Sequence, residues 1–86
     1  MIEKGDIVKI KMQFGGDVIG VIDTISPEKI KFSVYFYNSK LSLNPGCSYR
    51  HTIEQIEPVE ILKFEHQLLL KGYSYDDETK TVIHEL

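Results

Sequence analysis

The sequence predicts a mainly β fold in a single domain of 86 residues: a five-strand meander followed by a helix and a β-hairpin. Three observations predict it. Two stretches alternate apolar and polar residues with the period of two that marks a strand with one buried face. Clusters of turn-forming residues, Gly15-Gly16-Asp17, Ser26-Pro27-Glu28 and Asn44-Pro45-Gly46, separate the runs. After Glu60 the apolar spacing lengthens toward that of a helix.

The first strand runs from Asp6 to Phe14, with Val8, Ile10, Met12 and Phe14 inward and Lys9, Lys11 and Gln13 outward. Gly15-Gly16-Asp17 reverses the chain, because glycine accepts positive φ without a steric penalty. The run Val18 to Ile25 is rich in β-branched residues on both faces, which predicts a central strand, with a bend at Gly20. A third strand spans Lys29 to Tyr37, its inner set being Ile30, Phe32, Val34 and Phe36. Leu41-Ser42-Leu43 forms a short fourth strand, and Asn44-Pro45-Gly46 a turn. Thr52-Ile53-Glu54-Gln55 fits a capping box that opens a single helical turn, and Ile56 to Val59 forms a closing edge strand with Pro58 at the edge.

A helix follows over Glu60 to Leu70, with Gly72 placed for a left-handed C-terminal cap. Tyr73-Ser74-Tyr75 and Thr81-Val82-Ile83 flank a polar loop, the pattern of a hairpin. The expected core is Val8, Ile10, Met12, Val21, Ile30, Phe32, Val34, Phe36 and Ile53, with Leu62, Leu68 and Leu69 docking the helix.

The composition, 42% hydrophobic and 27% charged, is that of a globular chain and argues against disorder. No apolar run reaches the ~18 residues of a membrane span, and Met1-Ile2-Glu3-Lys4 does not read as a secretory leader. With Cys47 as the single cysteine, an internal disulfide framework and a cysteine-based zinc site are excluded, and a reduced, cytoplasmic setting is expected. The net charge of −3 hides an asymmetry. Residues 1–52 carry seven basic and five acidic side chains, a balance of +2, whereas 53–86 carry three and eight, a balance of −5.

Three alternating strands, a longer loop, a one-turn helix and a brief last strand follow the order of SH3-like small barrels. The stretch Gly5-Asp6-Ile7-Val8-Lys9-Ile10 resembles the opening of many such domains, among them KOW and Tudor-type modules and small phage-encoded barrels. The resemblance covers residues 4–60 and implies an SH3-like five-strand barrel. Residues 61–86 would then be a helix-plus-hairpin appendage covering one barrel end. It implies a binding module rather than an enzyme, and it identifies no ligand. A Tudor-type reader would arrange Tyr35, Tyr37 and Tyr49 with Asp23 around a cation; packing of Tyr35 and Tyr37 under the helix competes with that and outweighs it. The absence of tryptophan argues against a groove for proline-rich peptides.

Neither catalytic residues, nor a cofactor, nor metal ligands are expected. His51, His66 and His84 stand singly, without the spacing that brings two imidazoles to one metal. Cys47 and His51 lack an orienting third group, and Asp76-Asp77-Glu78 lacks the glycine and distal glutamate of a calcium loop. The leading expectation is a non-enzymatic protein-interaction module, a small accessory or regulatory protein whose contact surface is the loop from Asn38 to His51 and the flanking tyrosines. The alternative is nucleic-acid binding by a Lys/Tyr face of Lys9, Lys11, Lys29, Lys31, Tyr35, Tyr37, Tyr49, Arg50 and His51. An acidic face of Glu54, Glu57, Glu60, Asp76 and Asp77 would instead meet a basic partner. In its extreme form such a protein inhibits a host nucleic-acid-binding enzyme. A homodimer stays open, and no membrane partner is expected.

Overall fold

The computed structural model describes residues 2–12, 16–36 and 45–84. Strands β1 (Ile7–Ile10), β2 (Val18–Ile25), β3 (Lys31–Phe36), β4 (Pro45–Tyr49) and β5 (Ile53–Glu54) form one antiparallel sheet in the order β4-β3-β2-β1-β5. A single 3-10 turn, Arg50–Thr52, leads from β4 into β5. Helix α1 (Pro58–Leu70) follows, and β6 (Tyr73–Asp76) and β7 (Thr81–His84) pair as a hairpin. The fold is mainly β, a curled five-strand half-barrel with one helix and a hairpin.

Alternation sorts the side chains of the sheet to two faces. Val8, Ile10, Ile22, Phe32, Val34 and Ile53 fill the inside of the half-barrel, with Ile2, Val18 and Ile25 packed against them. Each fully buried aliphatic or aromatic side chain stabilises the fold by about 1.5–3 kcal/mol relative to exposure. On the opposite face Val21 packs with Phe64 and Leu68 of α1, joined by Ile7, Ile19, Tyr35, Tyr73, Tyr75 and Val82. The C-terminal third therefore lies against the outer face of the sheet, rather than over a barrel end.

Gly20 allows β2 and β3 to approach closely: a Cβ there would stand 2.5 Å from the Tyr35 carbonyl oxygen. The irregularity of β2 is not at this glycine but between Ile22 and Thr24, where the register with β3 shifts. Gly5, at φ +89°, leaves no room for a side chain beneath the Lys80 carbonyl. The Tyr75 hydroxyl donates to the Gly5 carbonyl, and Lys80 Nζ donates to Asp6 Oδ1 at 2.9 Å and Glu3 Oε2 at 3.1 Å. These contacts strut the hairpin to the start of the sheet.

Several expectations are corrected. β1 ends at Ile10, so Met12 lies beyond the pleat and is 43% exposed. Ile30 precedes β3 in the turn closed by Ser26 and is 54% exposed. Pro45-Gly46 begins β4 instead of forming a turn, since proline is tolerated at the first residue of a strand. The Thr52 hydroxyl donates back to the Tyr49 carbonyl, so Thr52 ends the helical turn rather than opening one, and Ile53–Glu54 pairs with β1 where a capping box was expected. Pro58 stands at N1 of α1, where its missing N–H costs nothing, so the helix begins where an edge strand was expected. Leu62 and Leu69 point to solvent, and the helix docks through Phe64 and Leu68. Phe14, Tyr37, the 41–43 strand and the Phe36 side chain lie outside the described residues.

Candidate functional site

Among the described residues a cleft of about 590 Å³ opens beside β1 and β5. Ile2, Ile7, Ile56 and Ile61 line it without being fully buried, and the buried Val8 and Ile53 lie beneath them. Its local origin is plain. Consecutive residues at the start of β1 and along β5 border it, and the chain from Gln55 to Ile61 crosses from the sheet into α1 along its edge. Asp6, Glu54 and Asp77 place three carboxylates on the rim against the one guanidinium of Arg50. Asp6 is held by Lys80 and accepts the Glu3 N–H at 2.8 Å; Glu54 stands 3.8 Å from Lys11. Tyr75 closes one wall, and burial raises its hydroxyl's pKa above the ordinary value of 10.0, helped by the nearby Asp6 and Asp77 charges. The proton on its bond to Gly5 is thereby held firmly.

A second grouping lies at the β3–β4 end of the sheet. Lys31 is the register partner of Tyr49, whose ring stacks on His51 with centroids 6.0 Å apart. The Arg50 N–H donates to the Ile30 carbonyl at 2.8 Å, and Lys29 occupies the preceding turn at φ +60°. Lys29, Lys31, Tyr49, Arg50 and His51, all nominated for the Lys/Tyr face, thus share this end of the sheet along the backbone, while the Arg50 side chain borders the cleft.

The other nominated residues go elsewhere. Lys9 aligns with Ile19 of β2, whereas Lys31 aligns with Ser26 beyond its far end. That separation is roughly 20 Å at the ~3.3 Å rise of a strand. Val21 and Tyr35, with α1 and the hairpin over them, lie between. Lys9 is 3.2 Å from Glu60, and Lys11 is 3.8 Å from Glu54. The hydrogen bond that Lys9 Nζ donates to Glu60 is the main reason the Lys9 pKa lies above its ordinary value. Basic and acidic residues that read as two separate faces in the sequence therefore partly neutralise each other where β1, β5 and α1 meet.

Tyr35 is half-buried in the outer cluster, as expected of packing under the helix. Tyr37 and residues 38–44 of the expected contact loop lie outside the described residues. Glu57 is the N-cap residue of α1, and its carbonyl accepts the Glu60 and Ile61 N–H groups. Asp76 accepts the Glu78 N–H at 2.9 Å within the hairpin loop, and Asp77 faces the cleft. Cys47 is exposed on β4 opposite Ser33. Among the described residues no group of three His, Cys, Asp or Glu side chains is placed to hold a metal ion, and no helix is long and apolar enough to cross a membrane.

Sequence reasoning missed Ile2, Ile7, Ile56 and Ile61 as site residues. None of the four is in the expected core, and as isolated isoleucines they carry no local signal of a site; only the tertiary placement brings them to one opening. No protein-family model matches this chain, and neither a curated protein nor a solved structure matches it.

Proposed function

We propose that this chain is a non-enzymatic protein-interaction module that takes an aliphatic side chain of a basic peptide segment into the cleft beside β1 and β5. The observation that carries the reading is the cleft itself: accessible isoleucines for an apolar anchor, bordered by the carboxylate of Asp77 and the lysine-paired carboxylates of Asp6 and Glu54. Binding sites of this kind join an apolar floor to a few polar groups that set orientation. The sheet order β4-β3-β2-β1-β5, with a 3-10 turn before β5, supports the SH3-like barrel reading, in which exposed loops and clefts on a rigid sheet do the binding.

Selection of peptides from a random library against the intact chain tests this. Enriched sequences are expected to carry Leu, Ile or Val next to Lys or Arg, and Ile56→Asp should weaken them at least about tenfold, the loss of roughly 1.4 kcal/mol. Enrichment without that pattern, or binding unchanged in Ile56→Asp, would exclude the cleft.

The grouping of Lys29, Lys31, Tyr49, Arg50 and His51 favours a second reading, binding of single-stranded nucleic acid by stacking on Tyr49 and His51. It predicts DNA or RNA affinity that falls steeply with salt and is lost in Lys31→Glu with Tyr49→Ala. Against it stand the pI of 5.5 and the pairing of Lys9 and Lys11 with carboxylates. The protein-interaction reading is therefore preferred.

A further inference from the structure

Helix α1 carries apolar side chains on two faces, and the sheet uses one of them. Phe64 and Leu68 are buried against Val21. Val59, Leu62, His66 and Leu69 follow one another at spacings of three, four and three residues, which aligns them along a second face. On that face Val59 is 57% exposed, Leu62 66%, Leu69 60% and the adjoining Leu70 71%. A narrow line with this spacing has the geometry of a helix–helix seam, in which each side chain seats between those of a facing helix.

We propose that the occupant of this seam is a second copy of the chain, the two α1 helices meeting across a twofold axis. The area argues for it. Four aliphatic side chains this exposed form a patch on the order of 400 Å², the size at which monomers present their largest apolar patches. Two such patches, with His66 and the flanking Lys63 and Glu65, bring the buried total to about 1,000 Å², the lower bound of a stable interface. The seam is also self-complementary, as a twofold contact requires, because leucine and valine on one copy meet the same residues on the other. Lys63 and the half-buried Glu65 flank the apolar line on either side, one turn from Val59 and from Leu62 and Leu69 respectively, so the seam is bordered by one charge of each sign. The seam faces away from the sheet and uses none of the residues assigned to the cleft, so the two proposals stand independently.

Sedimentation equilibrium of the intact chain from about 1 µM to about 1 mM tests the inference. The expected result is reversible conversion of the 9.9 kDa monomer to a species of twice that mass. Leu62→Lys and Leu69→Lys, each at an exposed position and so compatible with an unchanged circular dichroism spectrum, should raise the dissociation constant at least about tenfold. His66→Leu removes the polar residue from the seam and should lower it several-fold. A wild-type chain that stays monomeric throughout overturns the proposal. So does a dimer unaffected by Leu62→Lys and Leu69→Lys, which would place the contact on another surface.

Discussion

Gly20 shows how much one missing Cβ can decide. It faces Phe36 across the β2–β3 pair, and a methyl group there would press on the backbone of Tyr35 and on Val34 Cγ1, 2.6 Å away. Backbone cannot swing aside as a flexible side chain can, so the strands would have to separate. Gly20→Ala is expected to destabilise the fold by about 2 kcal/mol, a fall of roughly 10 °C in Tm, read by thermal denaturation. A change of less than two degrees would mean that the sheet is looser than its register implies. The sequence marks Gly20 as an interruption in an apolar strand, and a bend is the natural expectation. What the residue does is admit a neighbour, which only the partner strand reveals.

The hairpin is held to the sheet by groups that titrate in alkali. Lys80 lies above its ordinary pKa because Asp6 and then Glu3 bond its ammonium, and Tyr75 lies above its own because burial disfavours the phenolate. For both, the folded pKa exceeds the unfolded one. Their contribution is therefore complete below about pH 10 and is lost as pH rises through the raised values. Amide exchange of β6 and β7 should accelerate in that window, beyond the intrinsic base catalysis measured on β3. Tyr75→Phe should remove a step above the ordinary tyrosine range from the 295 nm absorbance titration. Persistence of that step in Tyr75→Phe would assign it to another tyrosine. The hairpin itself was legible from two short apolar runs about a polar loop, and Gly72 adopts the left-handed conformation expected of it at φ +85°. The struts were not legible, since Gly5 and Tyr75 are 70 residues apart in sequence.

At the scale of the molecule, β2 stands between the two apolar clusters: Ile22 belongs to the inner one and Val21 to the outer. The C-terminal third is therefore part of the core, although in the sequence it reads as an addition to a barrel. Urea denaturation should show one transition, coincident by circular dichroism and tyrosine fluorescence, as expected of a small cooperative domain. A fragment of residues 1–57 should lack a cooperative transition altogether, because Val21, Ile19 and Tyr35 would be left facing water. Independent unfolding of the fragment near the midpoint of the intact chain would instead separate a barrel from an appendage. The mixed charges have the same origin: Lys9 meets Glu60 because α1 is laid back across β1, a pairing 51 residues apart.

What the sequence determined by itself is whatever depends on near neighbours. The alternation of β1 and β3, the bounds of β2, the C-terminal cap at Gly72 and the hairpin all follow from periods and turn residues within a few positions. The tertiary structure decided which apolar residues are core and which are surface. Phe64 and Leu62 are two positions apart on one helix, yet one is 1% and the other 66% exposed. Both faces of α1 are apolar, so local pattern cannot say which of them meets the sheet. That choice is made by the outer face of β1–β2–β3, and it leaves the isoleucine cleft and the leucine seam open to partners.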